Sequence, residues 1–249
     1  MSDTKSIDND FSMLLKFGSR CNLEKLQKGN IYMKNLQYYI DLENSSDDED
    51  VGDKFDGLAR LQDVKISMFT VDSDEFVTAF QTPELTMDLG YKKAPVFCMF
   101  MFDHRNHTSE RLNGDELTVR YDFSDEQRTK LQRFGDSVLL IKNGDEFVAR
   151  MKQGFLDAGI SFTRDFVNYY DGNILQHFQD IHKDNSRIAF WKRNKYSYQQ
   201  EYRFFAFDLE VEDNICVNIG DISDISQLES AETILNTYLE STYKVSIKP

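Results

Sequence analysis

The chain reads as an α+β fold, with a mixed, largely antiparallel sheet core and flanking helices. Three observations lead there. Segments of strand character outnumber those of helical period. Several follow one another with no helix between, unlike the strands of a doubly wound parallel sheet. One run, Pro95 to Phe102 (PVFCMFMF), is apolar almost throughout, as a strand buried on both faces would be.

The elements follow in order. Phe11, Met13, Leu15 and Phe17 alternate with Ser12, Leu14 and Lys16, which predicts a first strand ended by Gly18-Ser19. Asn22 to Lys28 reads as a short helix, with Leu23 and Leu26 on one side and Gly29 as terminator. Ile31 to Leu36 and Val64 to Val71 look extended. After the Pro95 strand come strand candidates at Leu117 to Phe123 and Val138 to Ile141. Asp145 to Ala158 is the clearest helix, because Phe147, Val148, Met151, Phe155 and Leu156 form one apolar stripe. Phe166 to Tyr170 reads as a strand, Ile174 to Ile181 as a helix and Ile188 to Phe190 as a strand. Tyr202 to Phe207 is a strand, Ser226 to Tyr238 a surface helix, and Tyr243 to Ile247 a strand that closes the sheet.

Composition bounds the function. The 249 residues carry 43 acidic and 29 basic side chains, a formal net charge of −14. Polyanion coating needs clustered Lys and Arg, so a general nucleic-acid coat protein and a protein resting on anionic lipid are both disfavoured. Aromatics at 13%, with only 3 Pro, indicate a folded chain rather than a disordered or linker-rich one. No repeat or Pro/Gly/Ser linker divides it, so residues 1–249 read as a single domain. Its sharpest compositional break is Glu43 to Asp53 (ENSSDDEDVGD), six carboxylates without a base, expected as a solvated acidic loop.

The expected compartment is the cytoplasm. No stretch is apolar enough to span a bilayer, and Met1 to Asp10 has no apolar signal core. Cys21, Cys98 and Cys216 show neither zinc spacing nor a disulfide framework, and Cys98 and Cys216 read as small core residues.

Common catalytic signatures are missing. There is no GxxxxGK[ST] loop, GxGxxG turn, HExxH or GxSxG elbow. His104 and His107, beside Asp103, Arg105 and Asn106, have a possible but unspecific metal spacing; a solvated loop accounts for them.

Two segments concentrate chemistry. Phe190 to Phe207 (FWKRNKYSYQQEYRFFAF) holds the only tryptophan, Trp191, with Lys192, Arg193, Lys195, Tyr196 and Tyr198, and then Gln199-Gln200-Glu201 at the mouth of an apolar strand. On a strand Gln199, Glu201 and Arg203 project to one side. Glu201 is then either half of a rim ion pair, which contributes little, or a carboxylate that binds a ribose hydroxyl and stabilises positive charge on a sugar. Leu15 to Tyr39 contains Phe17-Gly18-Ser19 directly before a helix. Exposed amides there can receive a carboxamide or phosphate, while Ser19 or Asn22 can equally be a plain helix cap. Tyr38 and Tyr39 can stack on a planar ring or pack in the core.

Together these segments resemble the ADP-ribosyltransferase fold, whose members carry an early His-Gly-Ser/Thr or Arg strand and a late [Q/E]-x-E before a strand. Gln199-Gln200-Glu201 matches Q-x-E, and Phe17-Gly18-Ser19 stands where His-Gly-Ser would be, with Phe17 in place of the histidine. The KFGS…NLEKL…GNIYMKNLQYY, GDKFDG and YSYQQEYRF segments also resemble uncharacterised proteins of bacterial and phage defence loci. The resemblance implies an NAD-dependent ADP-ribosyltransferase, a glycosyltransferase acting on NAD, with a toxin role in antiviral defence. It implies NAD binding by Phe17, Gly18, Ser19, Tyr38, Tyr39 and Tyr196. Glu201 would be the catalytic carboxylate and Gln199 would position the acceptor nucleophile. Lys192, Arg193 and Lys195 would face the pyrophosphate or an anionic acceptor. The acceptor itself, protein or nucleic acid, and any antitoxin or phage or host partner stay open. The rival expectation is a non-enzymatic acidic binding or inhibitor protein that imitates nucleic acid, with Glu43–Asp53 as its feature. A third is a nucleotide-processing enzyme or nuclease with a metal on Asp53 and Asp56.

Overall fold

The computed structural model describes residues 13–45, 52–103, 105–172 and 178–244. Among these, eight strands form one antiparallel sheet around β5 (Pro95–Phe102). One edge of β5 is shared. β1 (Met13–Gly18) pairs with its C-terminal end, Leu15 opposite Phe100, and β2 (Asn30–Asn35) with its N-terminal end, Lys34 opposite Val96. The sheet therefore forks. One branch continues from β1 through β8 (Ser137–Ile141) to β14 (Ser226–Ser230), the other from β2 to β13 (Asn214–Asn218). The opposite edge of β5 takes β12 (Glu201–Phe205) along five residues, and β12 takes β9 (Thr163–Phe166).

The fork leaves the carbonyl of Cys98 without a strand partner on that edge. Lys16 fills the gap: its Nζ donates to the Cys98 oxygen at 2.6 Å and sits 4.9 Å from the Phe97 ring centre. A buried carbonyl left unpaired would be costly, so the lysine serves as the missing rung.

Alternation divides the sheet residues between two cores. Leu14, Phe97, Met99, Met101 and Phe204 meet the helices α1 (Arg20–Gln27) and α4 (Gly144–Asp157), which contribute Leu23 and Leu26, and Phe147, Met151 and Phe155. α4 is started by Asn143, whose side chain accepts the Glu146 amide at 3.0 Å. Leu15, Phe17, Phe100 and Phe102 face the other way. They pack with α3 (Asp125–Leu131), α6 (Ala231–Leu235) and the inner residues Val119 and Tyr121 of a second sheet. That sheet runs β15 (Leu239–Lys244), β7 (Glu116–Tyr121), β6 (His107–Asn113). Capping of α3 is reciprocal: Ser124 accepts the Gln127 amide, and Gln127 accepts that of Ser124.

Two further units complete the chain. β3 (Leu58–Phe69) and β4 (Phe76–Asp88) form a long hairpin. β10 (Asn168–Tyr170) and β11 (Trp191–Arg193) form a short parallel pair. α2 (Leu36–Ser45) follows β2 directly and is capped by Asn35, whose Oδ1 accepts the Tyr38 amide. α5 is the short helix Phe178–Lys183.

The α+β class and the mostly antiparallel sheet hold. Several element assignments change. Ser226 to Tyr238 is not one helix: β14 pairs with β8 and only Ala231–Leu235 is helical. Ile188 to Phe190 lies in a 3-10 turn, Asn185–Phe190. β15 closes the three-stranded sheet rather than the main one. Val71 lies in the hairpin turn beyond β3, and β4, β6 and β13 were not anticipated. Cys216 is exposed, not the core residue expected, while Cys98 is partly buried against the Leu36, Val96 and Phe205 cluster, as expected. Phe11, Ser12, His104, residues 173–177 and residues 245–249 lie outside the described residues.

Candidate functional site

The Gln199-Gln200-Glu201 motif sits where a 3-10 turn (Asn194–Gln199) hands over to β12. Gln200 takes the left-handed conformation there, φ 38° and ψ 55°. Gln199 and Glu201 are buried, and Lys192 Nζ bridges them at 2.7 and 2.6 Å. Gln199 also donates to the Tyr198 hydroxyl.

Glu201 belongs to a buried charge group. Its second oxygen accepts from Arg203 Nε at 2.7 Å. Arg203 is 1% exposed and forms a two-pronged pair with Asp56 at 2.7 and 2.8 Å, besides donating to the Ala189 carbonyl. Asp53, three residues before Asp56 in the GDKFDG turn, accepts from Arg193 Nε at 2.8 Å. Arg193 also reaches Glu43, which Lys195 contacts at 3.1 Å. Asp53, Asp56, Glu201 and Glu43 thus balance Lys192, Arg193, Arg203 and Lys195.

This geometry revises three expectations. Glu43 and Asp53 do not belong to a wholly solvated loop; they turn inward and bracket residues 46–51, which lie outside the described residues. Lys192, Arg193 and Lys195 are neutralised by carboxylates rather than offered to a pyrophosphate. Asp53 and Asp56 face arginines, and among the described residues no group of three His, Cys, Asp or Glu side chains could hold a metal.

Burial works against the Glu201 charge, but Arg203 and Lys192 more than reverse it and hold the carboxyl well below its ordinary value. Burial and the neighbouring Asp56 push Asp53 upward. Burial, with Glu201 nearby, lifts the Cys98 thiol to about 12. The Tyr39 hydroxyl is raised well above its usual value by burial, with Cys98 and Glu201 adding to it.

Of the other expected binding residues, Tyr196 borders this group and Phe17, Gly18, Ser19 and Tyr38 lie apart from it. Phe17 packs edge-on against Phe100 and Phe123. Gly18 is opposite Ser137 in the sheet, and a Cβ on Gly135 would come within 2.2 Å of its carbonyl carbon. Ser19 starts α1 by accepting the Asn22 and Leu23 amides on its carbonyl, while its side chain makes no cap bond. Tyr38 is partly exposed beneath Lys34 Nζ, 4.8 Å from its ring centre, and stands edge-on to Tyr39. Tyr196 is buried under the cations of Lys192 and Lys195.

An open cleft of about 770 Å³ abuts the same turn. Its wall includes Asp103, Arg105, His107, Glu110, Tyr121, Phe166, Asn168, Tyr169, Asn194 and Ser197. Asn194 and Ser197 are three apart on the 3-10 turn and share its outer face, while Tyr196, Tyr198 and Gln199 go inward. The cleft touches the motif at two points. The Tyr169 hydroxyl accepts the Glu201 amide at 2.9 Å, and Gln200 Nε2 donates to Asp103 at 3.2 Å. Asp103 is also clamped by Arg105, through its backbone amide at 2.8 Å and its guanidinium.

Sequence reasoning passed over Arg105, Glu110 and Tyr169. The signal available was Asp103-x-Arg105, a side chain accepting from the amide two residues on, which fixes a turn rather than leaving it loose.

No protein-family model matches the chain, and neither does any curated protein or solved structure.

Proposed function

We propose that the chain transfers ADP-ribose from NAD⁺ to an acceptor, with the dinucleotide held in the 770 Å³ cleft. The observation that supports this is the shared wall: the Q-x-E turn is tied to the cleft through Gln200–Asp103 and Glu201–Tyr169. The volume lies within the range of small-molecule sites, roughly 300–1,000 Å³. Phe166 and Tyr169 offer rings for a base or nicotinamide. Asn168, Asn194 and Ser197 offer donors and acceptors for ribose hydroxyls and the carboxamide. Arg105 is paired with Asp103 through Nε and Nη2, and the rest of its guanidinium, on a side chain 41% exposed, can donate to the pyrophosphate.

In this reaction the bond between nicotinamide and ribose C1′ breaks, and the electron pair leaves with nicotinamide. An acceptor nucleophile then bonds to C1′ and gives up its proton. Positive charge develops on the sugar, and the cleft carboxylate Glu110 supplies the opposite sign, while Asp103 is held by Arg105 and Gln200. Glu201 contributes differently from the role the resemblance implies. Its carboxylate is occupied by Lys192 and Arg203, so it acts as a positioning residue that holds the turn against Tyr169 and Asp103.

Titration with NAD⁺, followed by Trp and Tyr fluorescence or calorimetry, tests the site. Arg105→Ala weakens binding severalfold with unchanged melting, and Tyr169→Phe weakens binding and also lowers melting, because the Glu201 amide loses its acceptor. Glu201→Gln leaves a single accepting oxygen, so only one of Lys192 and Arg203 keeps its bond, and binding weakens as the turn loosens. No NAD⁺ binding by the intact chain, or binding indifferent to Arg105 and Tyr169, overturns the reading.

A further inference from the structure

Behind the cleft wall, two buried glutamines connect α3 to Asp103. They are Gln127, in the first turn of α3, and Gln200, at the kink before β12. Gln127 Oε1 accepts the Ser124 amide at 3.0 Å and Asn106 Nδ2 at 3.2 Å. Its Nε2 donates to Gln200 Oε1, and to the Tyr198 carbonyl at 3.2 Å. Gln200 Nε2 donates in turn to Asp103 Oδ1 at 3.2 Å. That same oxygen accepts the Arg105 amide at 2.8 Å, and Arg105 Nε reaches both Asp103 oxygens at 3.0 and 2.9 Å. Gln127 is thus bonded to Gln200 and not to Asp103.

The ends of this chain of bonds fix its direction. A backbone N–H only donates, so Ser124 must meet the oxygen of Gln127. A carboxylate only accepts, so Asp103 must meet the nitrogen of Gln200. Each carboxamide between them is left with one orientation, oxygen toward α3 and nitrogen toward the cleft. Asn106 reinforces this by giving its Nδ2 to Gln127, although its own Oδ1 is the one buried side-chain atom among the described residues with no hydrogen bond. Gln200 meanwhile keeps a left-handed backbone, φ 38°, which is costly for a residue with a Cβ, and its side chain is tied at both ends. We infer that Gln127 is a positioning residue of the cleft: through Gln200 it sets the place of Asp103, and with it the direction in which Arg105 presents its guanidinium. The relay belongs to the folded chain; that Arg105 meets a pyrophosphate rests on the function proposed above.

Thermal melting and NAD⁺ titration of the intact chain test this with Gln127→Glu, Asp103→Ala, the two combined, and Ser124→Ala. Glutamate at position 127 still completes the capping box of α3, but offers Gln200 an acceptor where a donor stood. The Gln200 carboxamide then turns, and its oxygen meets Asp103. Asp103→Ala removes an acceptor from the wild type but a repulsion from that background, so it should lower Tm by less there, or raise it. Gln127→Met, which removes the donor without adding charge, runs the same cycle and should show the same sign. Gln127→Glu should weaken NAD⁺ binding severalfold. Ser124→Ala also loosens α3, through the lost Oγ cap, but leaves the carboxamides in place and should leave the affinity unchanged. Tm losses that simply add in both cycles overturn the relay, and so does equal NAD⁺ affinity in the wild type and Gln127→Glu. A wild type that binds no NAD⁺ while the losses stay non-additive overturns the proposed function instead and leaves the relay standing.

Discussion

Removing Asp56 is the sharpest perturbation of the buried charge group. Asp56 and Arg203 are each 1% exposed, joined by two bonds of 2.7 and 2.8 Å. In Asp56→Ala the guanidinium keeps Glu201 and the Ala189 carbonyl but loses its two-pronged partner, and a charge is left short of compensation in a desolvated place. Breaking such a pair from one side costs about 3–5 kcal/mol. For a chain of this size each kcal/mol moves Tm by about 2–4 °C, so the drop should be roughly 6–20 °C. Thermal unfolding followed by circular dichroism measures it. Replacing both partners, Asp56→Leu with Arg203→Met, removes the orphaned charge as well, so the double variant should melt above Asp56→Ala. A Tm within about 2 °C of wild type in Asp56→Ala would refute the claim that these charges clamp the GDKFDG turn to β12.

Other outcomes follow from the same geometry. Glu201 has a depressed folded value, so its contribution to stability is complete above its ordinary value of 4.5 and is lost as pH falls below it; urea midpoints between pH 7 and pH 3 should show this, and Glu201→Gln should flatten the loss. Gly29 has φ +89°, and a Cβ there would lie 2.1 Å from the Gly220 carbonyl oxygen, so Gly29→Ala should cost about 2 kcal/mol or more by denaturation. Toward a thiol reagent near neutral pH, exposed Cys21 and Cys216 should react first and Cys98, lifted to about 12, only on unfolding. The proposed transfer reaction, with a toxin role, predicts that expression arrests bacterial growth and that Glu110→Gln relieves the arrest.

The legible parts of the sequence were those whose local pattern matches their burial. Pro95 to Phe102 is apolar because both of its faces are covered, and it is a strand over those same residues. The stripe Phe147, Val148, Met151, Phe155 lies on one helix face against the core. β4 and β6 were invisible because they are exposed and carry no alternation to betray them. Ser226 to Tyr238 misled because Leu228, Ala231, Ile234 and Leu235 keep a helical spacing across a strand and a separate short helix. The strand after Q-x-E could be read, but not what holds Glu201 in place. Asp56 is 147 positions from Arg203, and no local pattern encodes that meeting. The cleft is harder still, because the loop after β5, the β9–β10 region and the 194–199 turn each supply part of its wall.

Nicotinamide release is the most direct measurement. The intact chain is incubated with NAD⁺, with and without cell lysate as acceptor, and free nicotinamide is quantified by chromatography. The account predicts release well above the uncatalysed rate. It also predicts a loss of tenfold or more in Glu110→Gln, an exposed change that leaves melting unaltered. No release under either condition, or full release by that variant together with Asp103→Asn, would contradict it.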